Sequence, residues 1–140
     1  MRHHSLAESI IGKSGHALLG SVSPEGFPEI KAMLLPRERR GLKHFYFTTN
    51  TSSMRVAHLR SEPKGSVYFC SGASFQGVLF TGRFEVLTDD PSKERIWREG
   101  DEMYYPKGVT DPDYCVLHFT ASEGRIYENF HSESFTVREA

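Results

Sequence analysis

The 140-residue chain has little cysteine, a single tryptophan, almost no net charge and no long apolar run. Its two cysteines, Cys70 and Cys115, stand 45 positions apart with no CxxC, so a disulfide framework is not expected. Both lie in apolar, strand-like runs and read as buried free thiols, which fits a reducing cytoplasm. A formal net charge of −1 and a pI near 6.7 argue against a general nucleic-acid or membrane-surface binder. No apolar run approaches the roughly 20 residues that a membrane-spanning helix needs. The start, MRHHSLAESI, has no signal-peptide apolar region, and His3 and His4 are given no function. Internal repeats, low-complexity tracts and linkers are absent too.

What is present suits one domain over residues 1–140. An apolar fraction of 38 % with 12 % aromatics supplies a core, and 25 % charged residues covers a surface. Leu6 to Lys13 reads as a lead-in helix with Leu6, Ile10 and Ile11 inward. HALLGSVS (16–23) and EIKAMLL (29–35) read as two strands of a hairpin turned by Pro24, Gly26 and Pro28. PRERRGLK then reads as a charged, solvated loop closed by Gly41.

HFYFTT (44–49) is a third strand, rich in aromatic and β-branched residues. A helix follows with Val56 and Leu59 inward, and it stops at Glu62 because Pro63 disfavours helix at the residue before it. GSVYFC (65–70) and GVLFTGRFEVLT (77–88) are strands joined across SGASFQ, and Gly82 marks a bulge or close backbone approach. Asp90 caps a helix with Pro91 at its first position, running through Trp97. YCVLHFT (114–120), a turn at ASEG and RIYENF (125–130) read as a last hairpin. The sum is a mainly β fold: a six- to seven-stranded antiparallel split barrel with two or three short helices.

Two stretches carry chemistry. In TTNTSSMRVAHL (48–59), six consecutive hydroxyl or amide side chains lead into a helix whose cap is Thr51 or Ser52. Arg55 then falls in the first turn, where the helix dipole disfavours a cation. Either an anion sits at that junction, or the cap is over-determined and Arg55 is solvated. In EIKAMLL, Lys31 shares a strand face with Met33 and Leu35, so it lies at an edge or points at a ligand. His118 shares a face with Val116 and Thr120 and reads as structural, with no second histidine at ligand spacing and no metal site expected.

The ordered set HALLGSVSPEGFPEIKAML, FYFTTNTSSMRVAHL, GVLFTGRFEVL, Trp97 and DPDYCVL resembles the pyridoxamine-phosphate-oxidase-like FMN-binding split barrels, over roughly residues 10 to 128. The general-stress-protein branch is the nearest. The resemblance implies a cytoplasmic homodimer with FMN between subunits, exchanging electrons with a nicotinamide or small organic molecule. It also implies roles: Lys31 at the phosphate, Ala32 and Met33 along the flavin, Thr48 and Thr49 at the flavin or ribityl chain, Ser53 and Arg55 at the phosphate. Gln76 lies one position from the family's flavin-contacting glutamine, while Trp97 and Tyr105 either cover the flavin or pack in the core. Met54 and Pro36 replace cations found in relatives, and the arginine–histidine segment that true oxidases use on vitamin B6 is missing. A non-catalytic flavin binder, or a barrel carrying deazaflavin or haem, is the alternative that the resemblance leaves.

Overall fold

The computed structural model describes residues 2–72 and 75–139. Period-2 alternation builds its wall. Strand β1 (Ala17–Val22) turns Ala17, Leu19 and Ser21 inward, and β4 (His44–Asn50) turns in Phe45, Phe47 and Thr49. Strands β5 (Lys64–Ser71), β6 (Gln76–Leu87) and β7 (Tyr114–Glu128) add Val67, Phe69, Val78, Phe80, Leu117 and Phe119 to the same interior. The Phe45 ring lies 5.3 Å from Phe80, 5.7 Å from Phe69 and 6.1 Å from Phe119, so four rings from four strands form one aromatic centre. Helix α1 (Arg2–Lys13) closes it with Ala7, Ile10 and Ile11, and α2 (Met54–Ser61) with Val56 and Leu59.

The fold is mainly β, as the sequence predicts: the described residues form eight antiparallel strands in one sheet, with three short helices. The bonded path runs β2-β1-β5-β6-β7-β4-β3, with β2 (Pro28–Met33) at one end and β3 (Glu38–Arg40) at the other, while β8 (His131–Thr136) pairs with β7.

Eight strands exceed the expected six or seven, and β3 and β8 are the two not expected from the sequence. The basic run expected to be a solvated loop contains β3, paired to β4 through Glu38–Tyr46 and Arg40–His44, with Gly41 at positive φ making the turn. ASEG, expected to be a turn, lies inside the 15-residue β7. Gly124 is there because the Phe135 ring of β8 occupies the space its Cβ would take. The first half of β7 pairs with β4, the second half with β8, and β6 spans both. The chain reverses instead at Asn129 and Phe130, both at positive φ. Gly82 sits at the predicted bulge, where the register shifts between Thr81 and Gly82 and the Thr120 carbonyl fills the place of a side chain. The SGASFQ connection lies partly outside the described residues.

Helix ends also move. Asp89, not Asp90, caps α3 (Asp90–Arg95) by accepting the Ser92 N–H at 3.1 Å. The helix stops before Trp97 because Ile96 leaves helical geometry and gives its carbonyl to Arg37, 3.0 Å away. Cys115 is buried and Cys70 half-buried, both as free thiols. Among the described residues no helix is long and apolar enough to cross a membrane.

Candidate functional site

The two ends of the sheet path, β2 and the β3–β4 pair, make no ladder with one another. Between them opens a cleft of about 330 Å³. It is lined by Lys31, Ala32, Met33 and Leu34 from β2 and its exit, by Thr48, Thr49 and Asn50 from the end of β4, and by Arg37, Arg55, Tyr104 and Tyr105. Seven of the ten residues named from sequence therefore share one cleft: Lys31, Ala32, Met33, Thr48, Thr49, Arg55 and Tyr105.

Lys31 is both an edge residue and a cleft residue, because β2 is the outer strand of the sheet. Ser53, Gln76 and Trp97 lie off the lining. Ser53 caps α2, Gln76 donates to Glu128 at 2.6 Å, and Trp97 packs on Tyr114 and Tyr105 with ring centroids 5.1 and 6.3 Å away.

The hydroxyl-rich junction is organised more tightly than the sequence suggests. The expected caps Thr51 and Ser52 are committed elsewhere: the Thr51 N–H donates to the Asp113 carbonyl at 2.8 Å and the Ser52 N–H to Asp113 Oδ1 at 2.9 Å. Capping falls to Ser53, whose Oγ accepts the Val56 N–H at 3.3 Å. The N–H groups of Met54 and Arg55, first and second in α2, have no acceptor among the described residues. Arg55 Nε is buried and has no partner, and neither Arg55 nor Lys31 forms a salt bridge among the described residues. The cleft therefore gathers Lys31 and Arg55, both without an ion-pair partner among the described residues, and with Arg55 the start of α2 and its free N–H groups. That donor set is what an anion requires.

The opposite wall is rigid and neutral in charge. Arg37 donates to both carboxylate oxygens of Asp101, at 2.7 and 2.9 Å, with both side chains largely buried. The Arg37 hydrogen bond holds the Asp101 carboxyl below its ordinary range, helped by the Arg98 N–H at 2.8 Å. Tyr105 follows this lock and packs on Tyr114, centroids 5.0 Å apart. Burial pushes both phenols up to about 12, so Tyr105 meets the cleft protonated at any physiological pH.

Arg37, Asn50, Leu34 and Tyr104 were not singled out from sequence. Arg37 was hidden in a basic run that looked solvated, and Asn50 inside a polar run read for its hydroxyls. His118 does have a histidine neighbour, supplied by folding: His44 Nδ1 lies 3.0 Å from His118 Nε2, on the outer face of the sheet. Burial pushes the His118 imidazole below its usual value. No group of three metal-binding side chains occurs among the described residues.

An eight-stranded split barrel with a cationic cleft at its open seam defines a class, and comparison with known proteins places the chain in it. The pyridoxamine 5'-phosphate oxidase family model matches residues 6–128, and the chain belongs to that family. A Clostridium acetobutylicum protein related to general stress protein 26 of Bacillus subtilis is 35 % identical. The match covers 97 % of this chain and 95 % of that one, with a TM-score of 0.88. A pyridoxamine 5'-phosphate oxidase-related, FMN-binding protein from Nostoc punctiforme shares the fold at 12 % identity, covering 98 % and 94 % of the two chains, TM-score 0.70. A heme-binding protein from Mycobacterium smegmatis does so at 15 % identity, covering 95 % of this chain and 57 % of that chain, TM-score 0.74. A comparison with curated proteins found no match.

Proposed function

We propose that the cleft binds FMN, that a second copy of the chain closes its open side, and that the loaded protein is an oxidoreductase acting on a small molecule in the cytoplasm. The observation that carries this reading is the unpaired cation set at the start of α2. Arg55, Lys31 and the free N–H groups of Met54 and Arg55 suit a terminal phosphate carrying two negative charges. Ala32 and Met33 offer backbone along the flavin, Thr48 and Thr49 offer hydroxyls to the ribityl chain, and Tyr105 offers a flat, neutral wall. When bound, the flavin supplies the electron transfer itself, and the protein orients it and screens it from water. No histidine or cysteine lines the cleft among the described residues, which favours a phosphate-anchored cofactor over haem.

The need for a second copy is read from β2. Phe27 (68 % exposed), Ile30 (74 %) and Leu34 (60 %) are large apolar side chains left exposed along β2 and its two flanks, and Leu34 also lines the cleft. A partner over these side chains covers them and walls the cleft at once.

Titrating FMN and riboflavin into wild type and Arg55→Ala tests the reading. One charged hydrogen bond is worth about 1.5–3 kcal/mol, so FMN binding should weaken roughly 10- to 150-fold while riboflavin, lacking the phosphate, is unaffected. The apo-protein should not lose stability, because the change removes an orphaned buried nitrogen and a cation from a helix start. FMN affinity within about twofold of wild type would overturn the site. Anaerobic NADH or NADPH then separates an enzyme, which bleaches the flavin with saturable kinetics, from a passive binder.

A further inference from the structure

We infer that Asp113 is a positioning residue: it fixes the Asn50–Ser52 turn and so decides which N–H groups the anion corner keeps for a phosphate. The inference rests on the FMN-phosphate reading above and deepens it. An acidic side chain next to an anion site is a coulombic liability, so its presence needs a compensating role. Asp113 spends every acceptor it has on this one turn. Its carbonyl takes the Thr51 N–H at 2.8 Å, Oδ1 takes the Ser52 N–H at 2.9 Å, and Oδ2 takes Asn50 Nδ2 at 3.0 Å. These hydrogen bonds, the one from Asn50 first, hold the carboxyl below its ordinary range, so it stays an acceptor throughout the neutral region.

With Thr51 and Ser52 satisfied, the donors left over are those of Met54 and Arg55, which project from the start of α2. Asp113 is itself fixed from behind. Its N–H donates to Asp111 Oδ1 at 3.0 Å, while Asp111 Oδ2 accepts the Lys107 N–H at 3.1 Å and the Asp111 carbonyl accepts Lys93 Nζ at 3.0 Å. The buried Asp111 thereby ties the segment after Tyr104 and Tyr105 to the residue that shapes the anion turn.

The test is the preference for FMN over riboflavin in Asp113→Ala and Asp113→Asn, with Arg55→Ala alongside. Asp113→Ala should weaken FMN about tenfold or more and leave riboflavin within about twofold, so the preference collapses. That loss runs against the sign of charge removal, which alone would tighten an anion. Asp113→Asn keeps an amide oxygen for the Ser52 N–H and should recover FMN affinity to within about threefold of wild type. Should Asp113→Ala fold poorly, Asp113→Ser shortens the side chain and gives up the reach to Asn50 Nδ2, and should still cost FMN several-fold with riboflavin within about twofold. FMN bound by Asp113→Ala as tightly as by wild type, equal losses in the Ala and Asn variants, or equal losses of FMN and riboflavin would each overturn the inference. If Arg55→Ala lowers the preference and Asp113→Ala does not, this inference alone fails. An unchanged preference in Arg55→Ala removes the phosphate reading itself, and this inference with it.

Discussion

Strands β1 and β2 face each other across one turn, paired over six residues from Ala17–Met33 to Val22–Pro28, yet they live in different solvents. Along β1 every second residue is buried, and the strand is held between two neighbours. Along β2 no residue is buried, although Ile30, Ala32 and Met33 are as apolar as anything in β1. Composition alone cannot separate them. What separates them is position in the sheet: β1 is covered by β5 and by the interior, while β2 is an edge with no strand beyond it among the described residues. An edge with unpaired polar backbone and exposed apolar side chains is a liability unless something covers it. Under the function proposed above, β1 serves stability and β2 association and binding.

The largest effect should come from exchanging those roles. Leu19, fully buried on β1, belongs to the core, so Leu19→Ala should cost about 2–5 kcal/mol in denaturant unfolding of the apo-protein. Ile30→Ala should change the stability of the isolated chain by no more than about 0.5 kcal/mol. Ile30→Glu should instead move the species seen by light scattering toward the 15.9 kDa single chain. If Ile30→Ala destabilises a monomer as much as Leu19→Ala does, the division between the two strands is wrong.

A second contrast lies within the cleft, between an arginine whose charge is answered and one whose charge is not. Arg37 has Asp101; Arg55 has no acidic partner among the described residues. Removing one partner of a largely buried pair leaves the other charge stranded, so Asp101→Ala should cost about 3 kcal/mol, against no loss for Arg55→Ala. The pH dependence follows from the depressed Asp101 carboxyl. The unfolded carboxyl titrates near 3.8 and the folded one lower, so this contribution is complete above pH 3.8 and is lost as pH falls through the folded value. Acid unfolding of wild type should therefore be steeper below pH 3.8 than that of Asp101→Asn. Equal acid limbs would place the lock's stability elsewhere.

Much of this was legible in the sequence, for identifiable reasons. Strand alternation in HALLGSVS and HFYFTT is a local property, and folding leaves it intact. Lys31 and the Thr48–Arg55 run were found because a cation at a helix start and a lysine among apolar neighbours break local rules, and sites are where such rules break. What stayed hidden depends on partners far along the chain. Arg37 looked solvated because Asp101 is 64 residues away, and Thr51 and Ser52 looked like caps because Asp113, which takes their N–H groups, is some 60 residues on. Gly124 looked like a turn because Phe135, the ring that requires it, follows a reversal with no glycine or proline to announce it.

The smallest effect should come from Ser53, where the sequence and the structure suggest different duties. The family resemblance places its hydroxyl on the phosphate; the structure shows Oγ accepting the Val56 N–H at 3.3 Å, as an N-cap does. A hydroxyl has one proton and two lone pairs, so accepting from Val56 leaves its proton free to donate to a phosphate. Both duties fit, and two substitutions separate them. Ser53→Ala should cost about 1 kcal/mol of apo stability, and Ser53→Gly only a few tenths, because glycine is tolerated at an N-cap. If the proton also serves the phosphate, both variants should lose the same FMN affinity, roughly 2- to 10-fold for one hydrogen bond, and less than Arg55→Ala, with riboflavin unchanged. FMN affinity equal to wild type in Ser53→Gly would make Ser53 a cap and nothing more. A loss matching that of Arg55→Ala would instead put the hydroxyl on equal terms with the guanidinium, and the anion corner would then rest on Ser53 as much as on its cations.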